Sequence, residues 1–147
     1  MEAINHEYYV SLEVAKLLKE AGFDWECQYY IHAYTQEIVD SIKAHKKLYR
    51  NEDVDFSSPT LEVAQRWLRE VKNIFIEVTR YETIHPLARE LIEAIYDETV
   101  DKSFAYGVNV LDVNNESIYD GDCFLTYEES LEAGIKKALE IILEKGE

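Results

Sequence analysis

The fold is decided between Pro59 and Tyr81, where the sequence reads PTLEVAQRWLREVKNIFIEVTRY. Its first half predicts a helix over 59–72, because apolar residues recur there at helical spacing. Ser58 and Pro59 are typical of a helix start, since a proline at the first helical position gives up no hydrogen bond. The apolar stripe of this helix consists of Leu61, Ala64, Trp67, Leu68 and Val71.

A strand follows this helix almost without a loop. Asn73 tolerates a left-handed helix cap, and residues 74–81 then alternate, with Ile74, Ile76 and Val78 on one face. A helix joined so closely to a strand has to fold back onto the strand's own sheet. The stretch therefore predicts an α+β arrangement in which this helix covers one face of the sheet.

The N-terminal third predicts a helix over 11–21, with Ser11 as the N-cap and Gly22 as the stop, and then a strand over 27–34. Two interpretations stay open for residues 35–50. They form either the second strand of a hairpin or a helix capped by Thr35. Residues 51–58 are acidic and serine-rich, which indicates a loop.

The C-terminal half predicts a helix over 87–96, a strand over 104–113 and a hairpin partner over 118–125, with Asp120 and Gly121 interrupting the last. A final helix over 126–145 begins with a capping box. In that motif the Thr126 hydroxyl accepts from a backbone amide and Glu129 reaches back to the cap.

The whole pattern predicts a single α+β domain over residues 1–147, with an antiparallel sheet of about four strands and two to four helices mainly on one of its faces. A chain of 147 residues can bury a core without a metal or disulfides. The two cysteines, Cys27 and Cys123, form no C-x-x-C pair, so we expect two buried, reduced thiols.

The charge balance excludes several classes of partner. Thirty acidic and 15 basic side chains give a net charge of −15, which repels nucleic-acid phosphates and anionic lipid. No apolar run approaches the roughly 20 residues of a membrane-spanning helix. Residues 1–7 carry acidic side chains where a signal peptide has a basic leader. We therefore expect a cytoplasmic protein that binds neither nucleic acid nor membrane directly.

Motifs for common chemistry are absent from the sequence. It contains no phosphate-binding glycine loop, H-E-x-x-H or G-x-S-x-G motif, and its histidines never pair at metal-ligand spacing. The turn that begins at Asp112 resembles the start of a calcium loop, but Ser117 and Cys123 occupy positions that need glycine and glutamate. We expect no cofactor and no metal, and the sequence leans against an enzyme.

Acidic residues are concentrated in one part of the chain. Between Glu90 and Glu132 there are twelve acidic residues and a single basic one, Lys102. Solubility alone can explain such a charge, but a one-sided acidic surface also favours a basic partner. The candidate acidic interaction face comprises Glu90, Glu93, Asp97, Asp112, Glu116, Asp120 and Asp122. Eleven tyrosines add a possible homodimer contact through a sheet edge or helix face.

Three stretches carry a resemblance to a known group of proteins. Residues 58–70, which contain Trp67-Leu68-Arg69, residues 126–135, which open with Thr126-Tyr127-Glu128-Glu129, and residues 9–23 resemble small uncharacterised proteins of gut bacteria and their phages. The resemblance implies the same succession of helices and strands and a mobile-element origin. It brings no established activity, cofactor or catalytic residue.

These observations favour a non-enzymatic accessory or protein-interaction domain of prophage or mobile-element type. The second hypothesis is an acidic inhibitor that imitates nucleic acid and occupies a DNA- or RNA-binding protein. A small hydrolase with a carboxylate site is the third.

Overall fold

The computed structural model describes residues 8–82, 90 and 104–145. In this part of the chain the helices are α1 (Leu12–Glu20), α2 (Ser41–His45), α3 (Leu61–Lys72) and α4 (Tyr127–Glu144). The strands are β1 (Tyr29–Ile31), β2 (Ile38–Asp40), β3 (Phe56–Ser57), β4 (Phe75–Glu82), β5 (Phe104–Leu111) and β6 (Ser117–Phe124). A short 3₁₀ turn covers Asn51–Asp53.

The strands form two antiparallel sheets of three strands each, so the prediction of one sheet of about four strands is wrong in that detail. The small sheet has the order β2-β1-β3, and the large sheet has the order β4-β5-β6. Strand alternation identifies strands but not their partners. The prediction of an α+β fold with antiparallel strands is confirmed.

Helices α3 and α4 form a layer against one face of the large sheet. Helix α4 contacts all three of its strands, and α3 contacts β4. Helix α1 packs on α4 and also reaches β3 of the small sheet, so α1 and α4 connect the two sheets. One continuous hydrophobic cluster runs from Val10 to Ile142, and Trp67, which is 1% exposed, is its largest fully buried side chain.

The helix ends follow the local sequence. Thr126 Oγ1 accepts from the Glu129 amide at 3.0 Å, and Asn73 takes the left-handed conformation that ends α3. Ser11 caps α1 as predicted. Helix α3 begins two residues later than predicted, because Thr60 is its N-cap, while the Ser58 hydroxyl donates to the Val10 carbonyl.

Residues 35–50 contain both elements that the sequence left open. Strand β2 pairs with β1 as a hairpin, and α2 begins at the next residue, because the Asp40 carboxylate caps it by accepting from the Ile42 and Lys43 amides. Thr35 is therefore not the cap. Val71, predicted to be inward, is 47% exposed. The helix predicted over 87–96 lies outside the described residues except for Glu90.

Both cysteines are free and buried, as predicted. Cys27 belongs to the main hydrophobic cluster, and Cys123 belongs to a small second cluster with Ala105, Tyr81 and Leu125. The two thiols therefore lie in separate hydrophobic environments.

Candidate interaction surface

The large sheet has one covered face and one open face. Gly134 of α4 lies so close to the covered face that a Cβ there would be 2.6 Å from a Val108 methyl and 2.9 Å from an Ile76 methyl. Side chains alternate along a strand, so the even-numbered residues of β4 and β5 face the helices and the odd-numbered ones face away. The odd-numbered Glu77 and Thr79 are exposed.

The register of the strands arranges the open face in rows, since residues opposite each other in an antiparallel pair point to the same face. Glu77, Asn109 and Asp120 make one row across all three strands. Thr79 and Gly107 begin the next row, and the Asp122 carboxylate extends across Gly107 towards Thr79. The two rows together place three carboxylates, those of Glu77, Asp120 and Asp122, on one surface.

We name this surface the acidic face and define it by Glu77, Thr79, Asn109, Ser117, Asp120 and Asp122. All but Asn109, which is half-buried, are exposed. The Ser117 hydroxyl donates to Asn109 Oδ1 at 2.6 Å and fixes that amide. Among the described residues of β4, β5 and β6, Arg80 is the one cation. It is even-numbered and therefore lies on the covered face. Its guanidinium lies 4.2 Å from the centre of the Phe104 ring.

A polar corner borders the acidic face at one end of β6. Cys123 has a left-handed backbone, with φ of 66°, at an irregularity in the β5–β6 register. Its amide donates to Tyr81 Oη at 3.0 Å and to Asp122 Oδ1 at 3.1 Å. Burial, and contact with Cys123 and Asp122, raise the pKa of Tyr81 well above its usual value. These contacts hold Asp122 in place at the edge of the acidic face.

The structure brings together part of the acidic set that the sequence predicted. Asp120 and Asp122 lie on the acidic face, while Asp112 and Glu116 lie in the β5–β6 turn. Asp112 Oδ1 accepts from the amides of Asn114 and Glu116 at 2.9 and 3.0 Å, so it shapes the turn. Glu90 is exposed, and Glu93 and Asp97 lie outside the described residues.

Sequence reasoning missed Glu77, because the acidic count began at residue 90 and β4 lies far from β6 in the chain. It also missed a basic stretch, residues 42–50, which reads IKAHKKLYR. Four lysine and arginine residues within nine positions were visible in the sequence, but the balance of the whole chain concealed them. That stretch is on the small-sheet side of the molecule, where it follows β2.

Two concave sites lie away from the acidic face. One cavity of about 280 Å³ lies between the ends of α3 and α4, beside Asn73, Ile118 and Ile142. A second, of about 200 Å³, lies between the starts of α3 and α4, beside Leu61 and Tyr127. Neither is lined by a residue of the acidic face. The acidic face is instead accessible through its exposed side chains, Glu77, Thr79, Asp120 and Asp122.

Residues 8–82, 90 and 104–145 contain neither a metal-binding cluster of side chains nor a membrane-spanning helix. No group of three or more histidine, cysteine, aspartate or glutamate side chains is placed to hold a metal ion in this part of the chain. In the same residues, no helix has both the length and the apolar character needed to span a membrane.

Comparisons with known proteins do not assign the chain to a family: no family model, curated protein or solved structure matches it.

Proposed function

We propose that the protein is a non-enzymatic interaction domain whose acidic face binds a basic surface of a protein partner. The observation that carries this proposal is the row Glu77, Asn109 and Asp120, continued by Asp122, on the open side of a sheet whose other side is covered by helices. A rigid sheet presents these carboxylates without ordering a loop, so little conformational entropy is lost on binding.

Electrostatics makes this face suited to fast recognition. A surface of one sign attracts a partner of the opposite sign and raises the association rate, an effect that salt screens over about 8–10 Å. The proposed complex is therefore salt-sensitive. The prophage or mobile-element role implied by the sequence resemblance remains a prediction within this proposal.

The second candidate, an imitation of nucleic acid, is favoured by the regular placement of the carboxylates. Successive residues on one face of a strand are about 6.8 Å apart, so Asp120 and Asp122 form a spaced pair of anions. If this candidate is correct, double-stranded DNA competes with the protein for a DNA-binding partner, and neutralising Glu77 and Asp120 abolishes that competition. A DNA-binding protein that the chain leaves unaffected at low salt contradicts it.

The test of the leading proposal uses a short lysine-rich peptide as the probe and fluorescence anisotropy at low salt. Exposed charge pairs are worth about 0.5 kcal/mol each, so Glu77→Gln with Asp120→Asn weakens binding about fivefold. Glu20→Gln with Glu26→Gln is the matched control, because it removes the same charge from exposed positions away from the large sheet. An equal loss in both double variants rules out a specific role for the acidic face.

A further inference from the structure

A second charged surface follows strand β2 of the small sheet. Residues 42–50, which we name the basic segment, contain Lys43, Lys46, Lys47 and Arg50, together with His45, and no acidic residue. The whole chain has twice as many acidic as basic side chains, so this local excess of positive charge departs strongly from the average.

The basic segment is exposed to solvent. Every residue in it is exposed except the half-buried Tyr49. Its apolar members are exposed as well, with Ile42 at 47% and Leu48 at 42%. A partner that pairs with the cations can therefore also make apolar contact with Ile42 and Leu48.

An aromatic cluster holds the basic segment in shape. The Tyr49 ring packs edge-on against the rings of Tyr30 and His45, with centroids 6.5 and 5.5 Å away. Lys47 Nζ lies 4.8 Å from the centre of the Tyr49 ring, and an Arg50 guanidinium nitrogen donates to the Asp24 carbonyl at 3.1 Å. The cations are therefore displayed on a supported surface.

The layer of helices separates the basic segment from the acidic face of the same molecule. Helix α4 packs on the covered side of the large sheet, and α1 packs on α4 and on β3 of the small sheet. The acidic face points away from α4, while the basic segment follows β2 in the small sheet. A chain cannot place its own basic segment on its own acidic face, but two copies can meet in this way.

We propose that the basic segment of one copy docks on the acidic face of a second copy. The contact joins Lys46 and Lys47 of one chain with Glu77 and Asp120 of the other. Phe75, which is 41% exposed at the start of β4 on the same side of the sheet, offers an apolar position for Ile42 or Leu48. This inference rests on the proposed function, because it names one occupant of the acidic face.

The geometry predicts a weak, open-ended assembly. Three strands span about 14 Å and eight residues span about 27 Å, so one face of the sheet measures about 380 Å². Ala105 and Leu111 on this face are buried, so the area that a partner can contact is smaller. Standard stable interfaces bury about 800 Å² per partner, and smaller ones are transient. The two surfaces differ, so the contact does not close on itself, and chains of copies grow with protein concentration.

Analytical ultracentrifugation at low salt and at about 0.5 M salt tests the assembly, because screening at the higher salt removes most of the attraction. We expect the average mass of the full chain to rise with concentration at low salt and to equal one copy at high salt. A single-copy mass at every concentration and both salts overturns the inference.

Complementary variants identify the surfaces. Lys46→Glu with Lys47→Glu reverses two charges of the basic segment. Glu77→Lys with Asp120→Lys reverses two charges of the acidic face. We expect each double variant alone to be a single copy. A mixture of the two should assemble again, because the intact acidic face of one variant meets the intact basic segment of the other and the two reversed surfaces are also complementary. With the neutral versions, Lys46→Gln with Lys47→Gln and Glu77→Gln with Asp120→Asn, the mixture should form a pair that grows no further, because each member retains one intact surface.

A mixture that forms no pair, although the wild type assembles and both variants melt like the wild type, overturns the inference, since the assembly then uses other surfaces. The lysine-rich peptide separates this failure from failure of the proposed function. If wild type stays a single copy but still binds the peptide through Glu77 and Asp120, only the self-docking is wrong. If the affinity for the peptide is also unchanged when Glu77 and Asp120 are substituted, both proposals are wrong.

Discussion

The Asp122 carboxylate lies directly over Gly107: its Oδ1 is 3.1 Å from the position that a Cβ of residue 107 would occupy. The Gly121 carbonyl oxygen is 3.3 Å from the same position, and Thr79 Oγ1 is 3.5 Å away. The glycine therefore makes room for a carboxylate to lie flat across the sheet. This contact links the packing of β5 and β6 to the charge that the acidic face presents.

Gly107→Ala should displace Asp122 and lower the free energy of unfolding by about 1 kcal/mol, since overpacking costs slightly more than the alanine gains in chain entropy. Urea denaturation measures the loss, and anisotropy with the lysine-rich peptide measures the change in binding. Combining Gly107→Ala with Asp122→Ala should recover stability. If the double variant is no more stable than Gly107→Ala, the Asp122 contact is not the cause.

Gly134→Ala should destabilise the protein although alanine is the better helix former. The added Cβ would stand 2.6 Å from a methyl of buried Val108, and overpacking of this kind costs about 1–3 kcal/mol, against a gain of about 1 kcal/mol in helix propensity. Thermal unfolding of the variant, of Val108→Ala and of the double variant gives the coupling energy. Strict additivity would contradict the close packing of α4 on β5.

Lys19 holds the acidic loop that precedes β3. Its Nζ donates to the carbonyl oxygens of Asn51, Val54 and Asp55 at 2.9, 2.8 and 2.8 Å. Lys19→Met should lower the free energy of unfolding by about 2 kcal/mol, because hydrogen bonds from a charged group are worth about that much. Hydrogen exchange of residues 51–57 should accelerate at the same time.

Lys16→Met is the matched control for that change. Lys16 Nζ and Lys19 Nζ both lie 5.8 Å from the centre of the Phe56 ring, so the control removes a similar ring contact. We expect the control to retain slow exchange in residues 51–57. Similar acceleration in both variants assigns the effect to the ring contact or to the lost charge.

Cys27 should make the protein sensitive to alkali. Burial raises the pKa of its thiol from 9.0 to about 12. The unfolded thiol ionises first as the pH rises, so the stability contributed by this group is complete below pH 9 and is lost towards pH 12. At about pH 11 the loss is about 3 kcal/mol, taken as about 1.4 kcal/mol for each pH unit above the unfolded pKa.

Cys27→Ala tests this linkage. Its melting temperature should fall less between about pH 8 and pH 11 than that of the wild type, because the variant lacks the Cys27 thiol, whose ionisation favours the unfolded state. Tyr81, whose pKa is also raised by burial, leaves a residual loss above pH 10 in both proteins. If the melting temperatures of the two proteins fall equally with rising pH, Cys27 is not the group that causes the alkaline loss of stability.

The sequence predicted the elements whose signals are local. The Thr126 cap and the left-handed Asn73 depend on neighbouring residues, and both occur where the sequence placed them. The β5–β6 hairpin was predictable for the same reason. The Asp40 cap of α2 was missed, because a carboxylate that ends a strand can also start a helix, and only the β1–β2 pairing decides between these roles.

The candidate surface was predictable only in part. Asp120 and Asp122 alternate on one strand, which the sequence can indicate. Glu77 joins them through the strand order β4-β5-β6, and that pairing is set by tertiary packing. Asp112 belongs to the same acidic run, but its carboxylate is engaged by the turn amides, which a count of charges does not reveal.

The most direct test of the central claim is a titration of the isotope-labelled chain with the lysine-rich peptide, followed by amide chemical shifts at low salt. If the acidic face is the binding surface, the largest shifts occur at Glu77, Asn109, Asp120 and Asp122, and they disappear in Glu77→Gln with Asp120→Asn. Largest shifts on α1 or at the start of α4, unchanged in that double variant, would contradict the assignment of the acidic face as the binding surface.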